Sequence, residues 1–357
     1  MAIKPKGFPV ALLLSFFLIA CAAQERSPRM EFALGTLCVV SLFDCGNEGI
    51  YGDIFSRIRE IDRTMTAFPA PVAGGPVSYI VEIGMQAGIA PVRVGADLID
   101  VLERALHFAE ISDGAFDPTI GPLTRLWGIG TPLQRVPGDA EMAAALELVG
   151  WRDLEIDREA GTVFLRRQGM SLDLGSIAKG YAGDEVARIA REAGAGHALI
   201  DLGGNIVVVG HRWQRGRARQ EAPWRIGLRN PLDGRGAHIG VVEVYDTSVV
   251  TSGVYERFFE ALAPDGTPRR FHHLLSTVDG FPVENGLLSV TVITKSSTDA
   301  DALSTAVFAM GYERGRALVD SMPGFEAVFV FDDRRVSITD GLAGAFRLTD
   351  DEFTLVP

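Results

Sequence analysis

The sequence predicts an α+β fold built on a mixed, largely antiparallel sheet with flanking helices. Three observations carry this. Apolar strand-like runs and amphipathic helices are intermixed, but not in strict β-α-β alternation. Several strand pairs sit close enough in sequence to be hairpins. The chain has 357 residues, 47% of them hydrophobic, enough to bury one large core or two ordinary ones. The stretch around residues 200–260 is where two lobes would part.

The elements follow in order. Residues 1–20 read as a signal peptide: Lys4 and Lys6 form a positive start, and Pro9 to Ala20 is apolar but too short to span a bilayer. Leu18-Ile19-Ala20-Cys21 resembles a bacterial lipobox, which would leave Cys21 as an acylated N-terminus. A plain secretory signal with a chance cysteine is the other reading. A catalytic domain is expected over residues 30–350.

EFALGTLCVVSLF reads as one strand and GIYGDIFSRIREIDRTM as a helix, with Ile54, Ile58 and Ile61 on one face. FPAPVAGGPVS reads as a loop. ADLIDVLERALHFAEISDG is a helix ended by Gly114. Residues 115–140 read as mostly irregular, DAEMAAALELVG as a helix, WRDLEIDREAGTVFLRR as a hairpin and GMSLDLG as a strand. A helix follows Ser176 to about Ala193. Strands are expected in HALIDLGGNIVVVGHRW, PWRIGLRNP, HIGVVEVYDTSVVTSG and GLLSVTVIT. Helices from about Thr298 to Met310 and from Tyr312 to Asp320 precede the final strands.

The net charge of −12 argues against nucleic acid as a main partner, because phosphate backbones want a basic face. The three cysteines are Cys21, Cys38 and Cys45. If TLCVVSLFD is one strand, at about 3.3 Å per residue Cys38 and Cys45 are too far apart to pair. Two thiols are expected, with Cys38 buried.

Four clusters carry candidate chemistry. Asp113-Gly114-Ala115-Phe116-Asp117 turns out of a helix with carboxylates on both sides; a simple helix end explains it equally. In SLDLGSIAKGYAGDEV (171–186), Gly175 and Gly180 permit close backbone approach. The helix start there offers free N–H groups to an anion, and Lys179 adds a cation. It matches neither a Walker A loop nor G-x-G-x-x-G. Thr251-Ser252-Gly253-Val254-Tyr255, with His272 and His273, gathers hydroxyls and imidazoles, but no G-x-S-x-G elbow occurs. In Ser296 to Thr305, the serines and Asp299 suit a helix N-terminus. Asp301 and Thr305 are four apart, so their oxygens share a face and suit a hard cation.

Together these clusters resemble the ApbE family, the bacterial FAD:protein FMN transferases. The resemblance rests on ALGT (33–36), SDGAFDPTIGPLTRLWG (112–128), LDLGSIAKGYAGDEV (172–186), ALIDLGGNIVVVG (198–210), TSGVYERFF (251–259), HHLLSTVDGFPV (272–283) and DADALSTAVFAMG (299–311). It implies an ApbE-like fold that binds FAD with Mg²⁺ on the pyrophosphate. A threonine of an acceptor protein would attack the FMN phosphorus and AMP would leave. Some relatives hydrolyse FAD instead, and a flavin-binding lipoprotein without catalysis is a third reading. The resemblance assigns Ser176, Asp301 and Thr305 to the metal, leaves Ser304 open, and makes His273 the residue that assists transfer. It assigns Leu34, Ala115, Phe116, Asp117, Asp173, Lys179 and Leu275 to FAD. It implies acceptors with an Asp-Gly-Ser/Ala-Thr motif, such as redox-pump subunits, and a lipid anchor on the periplasmic face of a bacterial inner membrane. The chain departs from the family where H-x-I-D-P-x-T-G is usual and HLLSTVDG stands. It departs again at FPAPVAGGPVSYIVEIG, which replaces a segment that helps wall the flavin.

Overall fold

The computed structural model describes residues 27–67, 77–214, 220–233, 236–263 and 266–357. The signal and lipobox, Cys21 included, and much of the early loop lie outside these residues. β1 (Arg29–Ala33) and β2 (Thr36–Leu42) form a hairpin, followed by α1 (Glu48–Met65) and α2 (Tyr79–Met85). Next come β3 (Val92–Arg93), α3 (Ala96–Ile111), α4 (Gly121–Trp127), α5 (Asp139–Leu146), β4 (Leu154–Asp157), β5 (Thr162–Leu165) and α6 (Ala178–Glu192). β6 (Ala198–Leu202), β7 (Asn205–Val209), β8 (Arg212–Gln214), β9 (Gln220–Ala222), β10 (Trp224–Arg229), β11 (His238–Val244) and β12 (Thr247–Gly253) follow. β13 (Phe258–Leu262) and β14 (Pro268–His272) pair as a ribbon before β15 (Leu287–Thr294). α7 (Ser297–Met310), α8 (Tyr312–Asp320), β16 (Glu326–Phe331), β17 (Arg335–Ile338), β18 (Phe346–Leu348) and β19 (Thr354–Val356) complete the series.

A nine-stranded sheet, ordered β1-β2-β6-β7-β12-β15-β16-β17-β19, forms the frame. Its neighbours are antiparallel except β17 and β19. Successive side chains in a strand point to opposite faces. In β16, Ala327, Phe329 and Phe331 join the helix-side core, while Val328 and Val330 join a second core under β10-β11-β18. Both faces of the sheet are therefore covered, which explains its near-continuous apolar strands. Residues 200–260 do not divide two lobes. They supply β7 and β12 to the middle of the one sheet.

Three expected elements differ. EFALGTLCVVSLF is a hairpin, not a single strand: Leu34 at φ 53° and Gly35 at φ 69° make a tight turn. GMSLDLG is extended but joins no sheet; Ser171 makes one bridge to Ile120, and the Asp173 N–H donates to the Pro118 carbonyl. α4 is a short helix in the stretch read as irregular, and α2 is a short helix just after the loop. Cys38 is fully buried, and neither it nor Cys45 is in a disulfide. No described helix is long and apolar enough to cross a membrane.

α6 and α7 pack side by side on the sheet, and Gly180 sets their separation. A Cβ there would fall 2.3 Å from the Ser297 carbonyl oxygen and 2.7 Å from Asp301 Cβ. Gly180→Ala is expected to push the helices apart and destabilise the fold by about 1–3 kcal/mol, the usual range for overpacking. Thermal denaturation followed by circular dichroism checks this; an unchanged midpoint would show that the seam yields freely.

Candidate active site

The seam between α6 and α7 positions the central carboxylate. Asp301 is 3% exposed, and its Oδ2 accepts the Gly180 N–H at 2.9 Å. Gly180 lies in the first turn of α6, where amides have no partner inside the helix, and Asp301 supplies one. The Ser176 carbonyl, just before the helix, accepts no hydrogen bond among the described residues. Lys179 reaches back over the same corner. Its Nζ donates to the Gly175 carbonyl at 3.2 Å and lies 3.7 Å from Asp301 Oδ1. Asp173 closes the turn by accepting the Gly175 N–H at 2.8 Å.

A chain of hydroxyls continues along α7. Ser304 Oγ donates to the Asp301 carbonyl at 3.0 Å and lies 2.8 Å from Ser252 Oγ, which is 3.1 Å from Thr305 Oγ1. Each hydroxyl has one proton. With the Ser304 proton committed, Ser252 donates to Ser304 and Thr305 donates to Ser252. Ser304, fully buried, is then occupied on both sides and orients its neighbours. The Thr305 oxygen keeps a lone pair.

The helix N-terminus is satisfied without Asp301. Ser296 Oγ accepts the Asp299 N–H, and Asp184 from α6 accepts the Ser297 and Thr298 N–H groups. Asp299 pairs with Arg104. The residues fit the metal that the resemblance implies: a carboxylate with an uncommitted Oδ1, a vacant carbonyl and a hydroxyl are all hard oxygen donors.

Several turns frame the space in front of this seam. The Arg257 guanidinium lies 3.4 Å from where a side chain on Gly35 would begin, and Glu256 Oε1 lies 3.4 Å from the same point on Gly204. Leu34 is held in the left-handed region, uncommon for a bulky residue. Glu256 is crowded by protein although solvent reaches it. Burial first, opposed by Lys179 and Arg257 and reinforced by Asp301, pushes its carboxyl up to about 7.

His273 stands at the foot of the β13–β14 ribbon, where its N–H and its Nδ1 both meet the Arg257 carbonyl at 3.2 Å. A carbonyl only accepts, so Nδ1 carries the ring proton and Nε2 keeps a lone pair. His273 is only half-buried; crowding by the surrounding protein, then the Arg257 charge, pushes its imidazole below the usual histidine range. His272 points elsewhere: it is buried, and its Nε2 donates to the Val283 carbonyl at 3.2 Å. A base must be unprotonated to act, and a lowered pKa preserves that form in acid. The pH profile of kcat/KM, which reports the free enzyme, is therefore expected to show no histidine limb near pH ~6.5. A limb there that disappears in His273→Ala would refute this.

The other proposed flavin contacts divide into two groups. Leu34, Ala115, Asp173 and Lys179 are partly exposed. Phe116, Asp117 and Leu275 are buried in the protein's own packing, at 2%, 7% and 5% exposure. Asp117 clamps the loop: Oδ1 accepts the Thr119 N–H and hydroxyl, and Oδ2 accepts the Trp151 N–H. Burial raises its pKa, against those bonds. What these three can offer a ligand is backbone. Thr277 ties these two segments together by donating to the Gly114 carbonyl at 2.8 Å. A cavity of about 510 Å³ lies against them, lined by Ala115, Thr277, Val278 and Arg314 among others.

The family model of the ApbE family matches residues 34–329, from the turn beside Arg257 to the strand behind α7. The chain belongs to the ApbE family. It is 37% identical over 338 residues to the FAD:protein FMN transferase of Treponema pallidum, covering 92% of this chain and 90% of that protein. It is 35% identical to one from Klebsiella pneumoniae, covering 82% and 85%. Among solved structures, the ApbE protein of Thermotoga maritima superposes with a TM-score of 0.77 at 30% identity, covering 90% of this chain and 99% of that one. The flavin transferase ApbE of Vibrio cholerae gives 0.73 at 26%, covering 92% and 97%. These neighbours bear out the α+β, ApbE-like fold.

Within this ApbE-family site, Glu256 and Arg257 were not singled out by the sequence reading, although TSGVYERFF contains them. A charged pair after a strand ordinarily reads as a solvated end. The only signal was their place between a glycine turn and the ribbon that returns to His273.

Proposed function

We propose that the protein is an Mg²⁺-dependent FAD:protein FMN transferase. The carrying observation is the corner at Gly180, where a first-turn amide fixes Asp301 close to Lys179 and the Ser176 carbonyl is left open. Asp301, the Ser176 carbonyl and Thr305 would hold Mg²⁺, which supplies charge neutralisation on the pyrophosphate when bound. Gly175 lets backbone approach the phosphates, and Lys179 favours their negative charge. Arg257 and the Leu34-Gly35 turn close the side of the cleft where the flavin half would lie. His273 Nε2 takes the proton from the acceptor threonine hydroxyl as its oxygen attacks the FMN phosphorus. The new P–O bond forms, the bond to the bridging oxygen breaks, and AMP leaves with that oxygen.

Incubating the protein with FAD, Mg²⁺ and an acceptor carrying an Asp-Gly-Ser/Ala-Thr motif tests this. Covalent flavin on the acceptor threonine with one AMP per flavin is the expected result. AMP and free FMN with no labelled acceptor would replace transfer by FAD hydrolysis; no AMP at all would leave only flavin binding. Acceptors of this kind include subunits of membrane redox pumps, which suits a periplasmic, inner-membrane location.

The lipobox-like Leu18-Ile19-Ala20-Cys21 supports a lipid anchor on that membrane through Cys21. Acyl chains contribute ~0.8 kcal/mol per buried CH₂, so two or more anchor stably. Cys21→Ser is expected to shift the protein from the membrane pellet to the soluble fraction with its catalysis unchanged. Persistent pelleting after a salt wash would remove the lipid anchor from this account.

A further inference from the structure

We propose that Lys179 is an exchangeable counter-ion, holding the cation's place on Asp301 until FAD arrives, so that divalent cation and FAD bind cooperatively. The inference rests on the reading of Asp301 as a metal ligand. Of the two Asp301 oxygens, Oδ2 is committed to the Gly180 N–H at 2.9 Å. Oδ1 accepts no hydrogen bond among the described residues, and Lys179 Nζ, which donates to the Gly175 carbonyl at 3.2 Å, sits 3.7 Å from it. The ammonium thus stands between the carboxylate and the carbonyls of the same corner. The Asp301 side chain is only 4% accessible. A carboxylate so buried needs a compensating charge, and Lys179 is the cation that supplies it.

A divalent cation on Oδ1 and an ammonium in van der Waals reach of it repel strongly where water is scarce. One must give way, and the flexible four-carbon stem of lysine makes Lys179 the group that moves. The FAD pyrophosphate would bring negative oxygens to the corner where Lys179 stands and give the displaced ammonium a partner. A cation binding alone must displace Lys179 without offering it a new partner; a cation binding with FAD offers one. By linkage, each ligand then tightens the other by the same factor.

Mn²⁺ binding to the full chain in detergent, measured by electron paramagnetic resonance with and without FAD, tests this. In the unmutated protein FAD is expected to tighten Mn²⁺ by about 5–150-fold, the usual span of site coupling. Lys179→Gln is expected to tighten Mn²⁺ in the absence of FAD by about tenfold or more and to shrink the effect of FAD. It should also enlarge the rise in melting temperature that Mn²⁺ alone produces. Lys179→Arg, which keeps the charge, should keep FAD-free Mn²⁺ binding weak. Lys179→Gln with FAD-free Mn²⁺ affinity unchanged or weakened overturns the counter-ion role. Equal Mn²⁺ affinity with and without FAD in the unmutated protein overturns it independently of any variant. Asp301→Asn separates the two claims: if it binds Mn²⁺ as well as the unmutated protein, the metal assignment itself falls.

Discussion

Asp301→Asn is expected to lower Mg²⁺-dependent turnover of FAD by on the order of 10³-fold or more while leaving the fold close to intact. The several kcal/mol that a metal contributes to a charged transition state set that scale. Asparagine keeps an oxygen where Oδ2 accepts the Gly180 N–H at 2.9 Å, so the seam between α6 and α7 stays satisfied. What it removes is the single full negative charge among the three proposed ligands. Lys179 and the helix end would then face the pyrophosphate without a cation that bridges its oxygens. Asp301→Ala makes the comparison sharper. It removes the same charge and also strands a buried N–H, a loss of about 1–3 kcal/mol. The two variants should be equally inactive but differ in melting temperature. A helix-capping role predicts something else: mild loss of stability in both and normal turnover. That role is already filled by Ser296 and Asp184, which accept the N–H groups of Asp299, Ser297 and Thr298. Measured turnover near the parent value in Asp301→Asn, with the parent Mg²⁺ dependence, would end the metal assignment.

The parts of this site that were legible in the sequence share a physical cause. α1 announces itself because Ile54, Ile58 and Ile61 repeat at helical spacing and are all buried. Asp301 and Thr305 are legible because a spacing of four on a helix forces them onto one face. The hairpin at Leu34-Gly35 was not, since a leucine with positive φ is what propensity argues against; Gly35 alone was too weak a signal. The strand expected in GMSLDLG failed for a different reason. Its residues have the right pattern, but the Asp173 N–H is taken by the Pro118 carbonyl, so the segment pairs with a loop instead of a sheet. The two-lobe expectation failed because β7 and β12 are neighbours in space across a long sequence gap, which no local pattern reports. The Gly180–Asp301 hydrogen bond is tertiary in the same sense. Sequence shows a glycine near a helix start, but only packing shows that α7 comes close enough to capture its N–H.

His273→Ala is expected to slow transfer by about 10²–10⁴-fold, the usual contribution of a positioned general base, with FAD affinity changed far less. The geometry makes this more than a match of motifs. The Arg257 carbonyl fixes the Nδ1 proton at 3.2 Å, which leaves Nε2 as the ring's acceptor. Crowding by protein and the Arg257 charge lower its pKa, which favours the neutral, base form. The same carbonyl ties the ring to the residue whose guanidinium borders the Leu34-Gly35 turn, so base and cleft wall move together. His272 provides the internal control. It is adjacent in sequence but buried against Phe308, with Nε2 bound to the Val283 carbonyl. His272→Ala should therefore lower stability by the few kcal/mol of a core cavity and leave the rate per folded molecule near the parent value. Single-turnover kinetics at saturating FAD separate the chemical step from binding. If His273→Ala weakens FAD binding and slows transfer by equal factors, the ring serves the architecture of the cleft; if only the chemical step falls, it moves the proton.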